Sequence, residues 1–454
     1  MNKMALTVAS VIAVILPLSG VSAETLNEAL AATYQNNPTL QAQRASVRGV
    51  DEDVSQALSG WRPEVIATAN ASAQHSNTNI TNNPGGSKDT TPTQAALTVS
   101  QPVYTGGITT ATTKSAEASV LAARESLLST EQTIFQQAVS AYVNVLSDTA
   151  VVELNNNNTT VLRRQLEAAQ DRFEVGEITR TDVAQAEARL ADSISNLIQS
   201  EGNLRSTRAN FERIVGKAPE DLVIPVIPTD FPESEDAALI TALENHPDIK
   251  TAKFNEESSR HNIRATSGQL LPVISVDGTL AHGNEVSGSG SWANTASIGA
   301  FLTVPLYQSG SVYSQVRQAR QINSQRMQEI EEAVRLIRES VVQSWEQLET
   351  ARSRIGSNQE AVRANTIALE GVEQEAQVGS RTTLDVLNAE QELLDSKVNL
   401  VLAQRDQYVA VYNVVASIGK LNARDLQLNV DYYDPAANYD RVRGKWVGTD
   451  GGLD

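Results

Sequence analysis

Two aspartates in matching surroundings, Asp182 and Asp385, are the residues of this chain best placed to do chemistry, and that chemistry is electrostatic. Each follows a Val-Gly turn in the pattern V-G-x-x-T-x-x-D, which reads VGEITRTD at 175–182 and VGSRTTLD at 378–385. An aspartate at such a place can satisfy the free amide N–H groups of a helix N-terminus. Alternatively, symmetry copies of Asp385 gathered around an axis would concentrate negative potential in a narrow throat, attracting cations and lodging multivalent ones. Arg381, inside the second pattern, carries a planar fork that suits a carboxylate. Bond-making chemistry has no comparable constellation. His75, His246, His261 and His282 are not at ligand spacing from one another, and the absence of cysteine excludes disulfides, thiolate metal sites and a lipidated N-terminal cysteine. There is no nucleophile elbow, phosphate loop or histidine-centred acid–base group, so neither an enzyme nor a cofactor is expected.

The elements that must position these residues occur twice. A shift of 203 residues superposes Arg172–Lys217 on Glu375–Lys420 without a gap, and carries Pro102 onto Pro305 and Tyr104 onto Tyr307. A shift of 209 pairs Pro38 with Pro247 and Pro63 with Pro272. Copies of this size form a duplicated unit rather than a solenoid. In each copy a stretch almost free of helix breakers, about 106–175 and 311–378, predicts a helix of roughly 100 Å at 1.5 Å per residue. Asn155–Asn158, level with Asn358 just past Gly356 in the other copy, is either a weak point at which both long helices bend at the same height or an exposed polar patch. A second helix returns after each turn, about 181–216 and 384–418. Val183, Leu190, Leu197, Leu204 and Phe211 repeat every seven residues, as do Val386, Leu393, Leu400 and Val414 with Gln407 interrupting, and Leu387, Leu394, Val401, Tyr408 and Val415 make a second line beside them. That period predicts antiparallel coiled-coil hairpins whose tips lie at Val175-Gly176 and Val378-Gly379.

Between the prolines the period changes to two. Segments at about 64–76, 93–104, 273–282 and 292–304 alternate apolar with polar residues, as strands of a membrane barrel or of a half-buried soluble sheet do. The connections Asn77–Pro92 and Gly283–Ser291 are rich in Asn, Gly, Ser and Thr, as outer loops are. Four strands cannot close, and an open edge in lipid leaves backbone groups unpaired, so two or three chains must share one barrel.

The first residues supply an address: Lys3, an apolar run to Leu18 and Val21-Ser22-Ala23 form a secretory signal peptide over 1–23. The net charge of −18 argues against nucleic acid and anionic membrane surfaces as partners. The remaining organisation is repeat 1 over 24–220, a linker over 221–245, repeat 2 over 246–421, and a tail over 422–454 that has neither heptads nor a counterpart and is expected either to run back along the outside of the tube or to be partly disordered.

With the signal peptide, Asn36-Asn37-Pro38, Asn245-His246-Pro247, Trp61-Arg62-Pro63, the QPVYTGG and VPLYQSG strand exits and the V-G-x-x-T-x-x-D-V tips in order, the chain resembles the TolC family of outer-membrane channel proteins from about Glu24 to Leu421. The resemblance implies a mainly α homotrimer with membrane β: four strands per chain in one twelve-stranded barrel, and helices in a tube across the periplasm of a Gram-negative bacterium. It implies an exit duct for a tripartite efflux pump or a type I secretion system. The partners are then outer-membrane lipid, a periplasmic adaptor that meets the tips Val175, Gly176, Val378 and Gly379, and an inner-membrane ABC or proton-driven transporter. By resemblance Arg381 is the gate arginine, with Thr181 and Asp182 its partners, and Asp385 and Asn388 hold the pore constriction. The family's second acid is Asn388 here and its gate tyrosine is Ala376, which leaves one carboxylate ring rather than two. A different class of function, a trimeric adhesive coiled-coil stalk on a barrel anchor, would place its anchor at one end of the chain. Here strand pairs interrupt the helices twice.

Overall fold

The computed structural model describes residues 24–77, 86–227, 231–286 and 289–450; the expected signal peptide lies outside the described residues. In chain order the elements are α1 (Leu26–Asn36), α2 (Pro38–Ser59), β1 (Glu64–Ala71), β2 (Gln74–Asn77), β3 (Ser87–Thr90), β4 (Thr93–Tyr104), α3 (Ile108–Glu174), α4 (Arg180–Val215), α5 (Glu235–Asn245), α6 (Pro247–Gly268), β5 (Val273–Asn284), β6 (Trp292–Thr303), α7 (Ser311–Gln377), α8 (Thr383–Ser417) and α9 (Pro435–Val442). They sort into two compact units. One holds the chain up to Gln35 with Gln137–Ile227 and Arg352–Val409; the other holds Asn36–Gln136, Pro228–Ala351 and Ala410 onward.

The first unit is helical. It contains α1, the C-terminal part of α3 with α4, and the C-terminal part of α7 with most of α8, so each copy contributes one antiparallel hairpin. The two seven-residue lines have different tasks. Val386 and Leu393 meet Leu369 inside the second hairpin, with Val362, Val372 and Ala376 around them. Leu387, from the neighbouring line, packs instead with Leu162, Ala169 and Ala186 of the first hairpin. Farther from the tips Tyr142 and Phe211 are buried with their ring centroids 6.3 Å apart. The Tyr142 hydroxyl lies 2.7 Å from the Glu24 carbonyl and 2.6 Å from that of Val223. Glu24 forms a short parallel bridge with Leu222, the neighbour of Val223, and the Lys217 ammonium sits 3.1 Å from the Glu24 carboxylate.

The second unit holds the sheet. Its order is β1-β4-β5-β6, antiparallel throughout. Directly opposed residues share a face, and the register collects the apolar ones: Val65, Val99, Gly278 and Ile298 form one row, and Ala67, Leu97, Leu280 and Ala296 the next. The row between them carries Thr98, Thr279 and Ser297 and the row beyond them Thr68, Ala96, Ala281 and Thr295, both on the opposite face; Ile66 is an apolar exception there. Even the apolar rows are exposed, Ile298 at 82%. The outer edges of β1 and β6 pair with no strand among the described residues.

Several boundaries differ from expectation. The strand expected over 64–76 is divided: β1 stops at Ala71, and β2 joins β3 in a separate two-stranded sheet, so the connection expected over 77–92 contains a strand. Both long helices run 67 residues, through Asn155–Asn158 and through Gly356 and Gly371, without interruption. The linker expected over 221–245 carries α5, whose buried Ala238 and Ala242 pack with Ile249, Val341 and Ile418. The two Pro-containing turns prove to be helix caps: Asn37 accepts from Thr39 N and Leu40 N, and His246 Nδ1 accepts from Asp248 N, each one residue before a proline at the first helical position. Burial holds the His246 pKa below its usual value, as suits an acceptor.

Of the two courses expected for the tail, packing is the one seen: through residue 450 it lies against helices of its own unit. Asn438 of α9 donates to Asp51 of α2 at 2.8 Å, and Arg443 donates to Glu117 at 2.9 Å. Guanidinium groups lie over its rings: Arg44 over Tyr433 at 5.2 Å, Arg124 over Tyr439 at 5.3 Å and Arg62 over Trp446 at 5.4 Å.

Candidate functional site

The hairpin tips are built twice from the same local rules. In the first, Gly176 N bonds to Phe173 O and Glu177 N to Arg172 O; in the second, Gly379 N bonds to Ala376 O and Ser380 N to Glu375 O. Each is a Schellman ending, which requires a left-handed residue, and Gly176 and Gly379 supply it at φ +80° and +79°. Three residues later a new helix starts in a capping box. Thr179 N and Oγ1 both donate to Asp182 Oδ2, at 2.9 and 2.8 Å, while Asp182 N donates back to Thr179 Oγ1. Thr382 and Asp385 repeat the arrangement at 2.9 and 2.8 Å. The motif V-G-x-x-T-x-x-D is therefore one helix stop and one helix start joined by two residues.

This geometry sets the electrostatics. Hydrogen bonds from the Thr179 hydroxyl and amide hold the Asp182 carboxyl below the usual carboxylate range. Those from the Thr382 amide and hydroxyl do the same for Asp385, aided by the Arg381 charge. Both remain anionic at neutral pH and neither is deeply buried. Val175 and Val378 stand at the tips, 78% and 80% exposed.

Each expected site residue can now be placed. Arg381 Nε donates to Glu375 Oε2 at 2.8 Å, and this bond is the main cause of its raised pKa. Among the described residues it is brought to Glu375 rather than to Thr181 or Asp182. Thr181 is exposed on the first turn of α4, and Asp182 is engaged by Thr179. Asn388 is exposed one turn beyond Asp385, and its Oδ1 accepts from Arg189 at 2.8 Å.

Glu375, Arg189, Arg172 and Glu177 were not singled out by their sequence pattern. The first tip has its own brace, Arg172 to Glu177 at 2.9 Å, and the shift of 203 superposes Arg172 on Glu375. The two tips are thus braced with opposite polarity: cation on the outgoing helix in one, anion in the other. The signal was present in that charge reversal. The pairs themselves span a helix end, where i,i+3 and i,i+4 rules do not apply.

The sequence profile of the outer membrane efflux protein family matches residues 29–217 and 238–420. Outer membrane efflux protein BepC of Brucella suis is 34% identical over 426 residues, covering 94% of this chain and 92% of that protein. Outer membrane protein TolC of Vibrio cholerae is 26% identical over 417 residues, covering 90% and 93%. Among solved structures, the CmeC outer membrane channel of Campylobacter jejuni has the same fold, with a TM-score of 0.76 at 16% identity over 92% of this chain and 89% of that one.

Proposed function

The chain belongs to the outer membrane efflux protein family and is an outer-membrane channel with a periplasmic extension; we propose that it works as a homotrimeric exit duct whose hairpin tips form a closable periplasmic mouth. The observation that carries the oligomer is the sheet. Four strands with one apolar face and two edges unpaired among the described residues cannot remain open in lipid; copies joined β1 to β6 leave no edge, and three of them, as the family resemblance implies, make twelve strands. The apolar rows through Leu97 and Leu280 then face lipid, and the Thr98–Thr279–Ser297 row faces the lumen.

At the mouth, Asp385 supplies one ring of three carboxylates and Asn388 a neutral ring beside it. Arg381, Thr181 and Asp182 form the gate, and Val175, Gly176, Val378 and Gly379 are the contact for a periplasmic adaptor protein. An inner-membrane transporter, ABC-type or proton-driven, supplies the cargo. The family is one of transport channels, and the low pKa of Asp385 suits a passive electrostatic role.

Planar-bilayer recording tests this reading. The wild-type protein should insert as a channel, and divalent or trivalent cations added on the periplasmic side should block it. Asp385→Ala should relieve that block, and Arg381→Ser should raise the conductance. Equal block in wild type and Asp385→Ala removes Asp385 from the throat; unchanged conductance in Arg381→Ser removes Arg381 from the gate.

A further inference from the structure

We infer that the Arg189–Asn388 hydrogen bond is the latch that ties the two helical hairpins of one chain together near the mouth; this rests on the exit-duct reading above. The observation begins with which bonds cross from one hairpin to the other. At the first tip, Asp182 is held by Thr179 and Arg172 by Glu177, all on that hairpin. At the second, Asp385 is held by Thr382 and Arg381 by Glu375, again on one hairpin. These contacts shape each tip and leave the distance between the tips unset. The Arg189 guanidinium does the opposite: it leaves α4 of the first hairpin and donates to Asn388 on α8 of the second, at 2.8 Å.

The neighbouring residue shows that this crossing point is fixed in place. Leu387, 2% exposed, is buried among Leu162, Ala169 and Ala186 of the first hairpin. A buried leucine sets the register of α8 on the first hairpin, and the next side chain, Asn388, is thereby presented to Arg189. Moving the second hairpin away must expose Leu387 and break this bond together, so the two act as one unit. The duplication argues in the same direction. Under the shift of 203, Arg189 corresponds to Glu392 and Asn388 to Gln185, so the donor–acceptor pair is not repeated. It is a feature of one chain's own α4–α8 contact. Asn388 thus has a use as a neutral acceptor: its Oδ1 takes the bond without adding a second charge beside Asp385.

The experiment uses the full-length channel in planar bilayers. An exposed polar pair changes an open-to-closed ratio by about two- to fivefold. Arg189→Ala and Asn388→Ala should each raise the ratio of open to closed time by that factor, and the double variant should rise no further than either single one. Asn388→Asp, which converts the bond to an ion pair, should lower the ratio. Because the chain has no cysteine, an Arg189→Cys/Asn388→Cys variant joined by a short bismaleimide reports independently, and it should be trapped in the low-conductance state. Channels that form normally but gate like wild type in both single variants overturn the latch and leave the duct standing. So do additive effects in the double variant, or a cross-linked channel that still opens. A wild-type protein that forms no channel at all overturns both readings.

Discussion

At the residue scale, the tips illustrate how a motif can be both structural and functional. Thr179, Asp182, Thr382 and Asp385 are the reciprocal partners of two capping boxes, which accounts for their spacing without reference to a pore. The pore role proposed for Asp385 and the gate role proposed for Asp182 suit these carboxylates, because a capping box leaves its aspartate ionised and close to the surface. Thr382→Ala removes the hydroxyl that both accepts from Asp385 N and donates to its carboxylate. The loss of an N-cap costs about 1 kcal/mol, so amide hydrogen exchange in the first turn of α8 should quicken by about fivefold while the first turn of α4 stays unchanged. Equal exchange in both variant and wild type would show that the cap does not hold this turn. The motif was legible in the sequence because each half is local. Glu375 and Arg189 were not, for two physical reasons. The Arg381–Glu375 pair spans a helix end, and Asn388 meets Arg189 across 199 residues of sequence that only the packing of two hairpins brings together.

At the element scale, the helices and strands followed their periods closely, because a seven-residue or a two-residue repeat is a property of one element read alone. The tail resisted for the converse reason: its order comes from partners elsewhere. Tyr433, Tyr439 and Trp446 are held by Arg44, Arg124 and Arg62, which belong to α2, α3 and the turn before β1. Where the tail begins, Ala423 N donates to Glu131 Oε1 of α3 at 2.6 Å. Glu131 is 5% exposed, and burial pushes its pKa up to about 7, against the pull of the Ala423 amide and of Arg44 and Arg424 and with a push from Asp425. An acid with its folded pKa raised above the unfolded value of 4.5 favours the fold in its protonated form. Its contribution is whole below that value and is lost as pH climbs through about 7. The shift corresponds to roughly 3 kcal/mol at most. Glu131→Gln keeps an acceptor for Ala423 N and cannot ionise. Thermal unfolding of the detergent-solubilised protein should show the wild-type midpoint falling between about pH 5 and about pH 8 more steeply than that of Glu131→Gln. Parallel curves would assign the titration to another group.

At the scale of the whole molecule, the decisive property is that the described chain is incomplete as a sheet. Val65, Leu97, Leu280 and Ile298 lie in adjacent rows of one face and are exposed, and no element among the described residues covers them. A water-soluble sheet would bury that face against helices, as the two-layer rule requires. A membrane barrel turns it to lipid and seals the two edges with neighbouring copies. The two faces therefore predict opposite responses to the same substitution one residue apart. Leu280→Arg places a charge on the apolar rows, where a guanidinium at mid-membrane depth costs about 2–4 kcal/mol. Thr279→Arg places it on the Thr98–Thr279–Ser297 row, where it meets water and adds three positive charges to the lumen of a trimer. Urea unfolding in liposomes should show Leu280→Arg strongly destabilised and Thr279→Arg close to wild type. In bilayers Thr279→Arg should insert normally and pass cations less readily. Equal destabilisation by both would mean that the sheet has two buried faces. Destabilisation by Thr279→Arg alone would mean that its faces are reversed, with Asp277 and its Ser100 partner, 2.6 Å apart, turned toward lipid. A carboxylate at that depth would then need a protein partner that Ser100 and Ser275 alone do not provide, so the register itself favours the apolar rows outward.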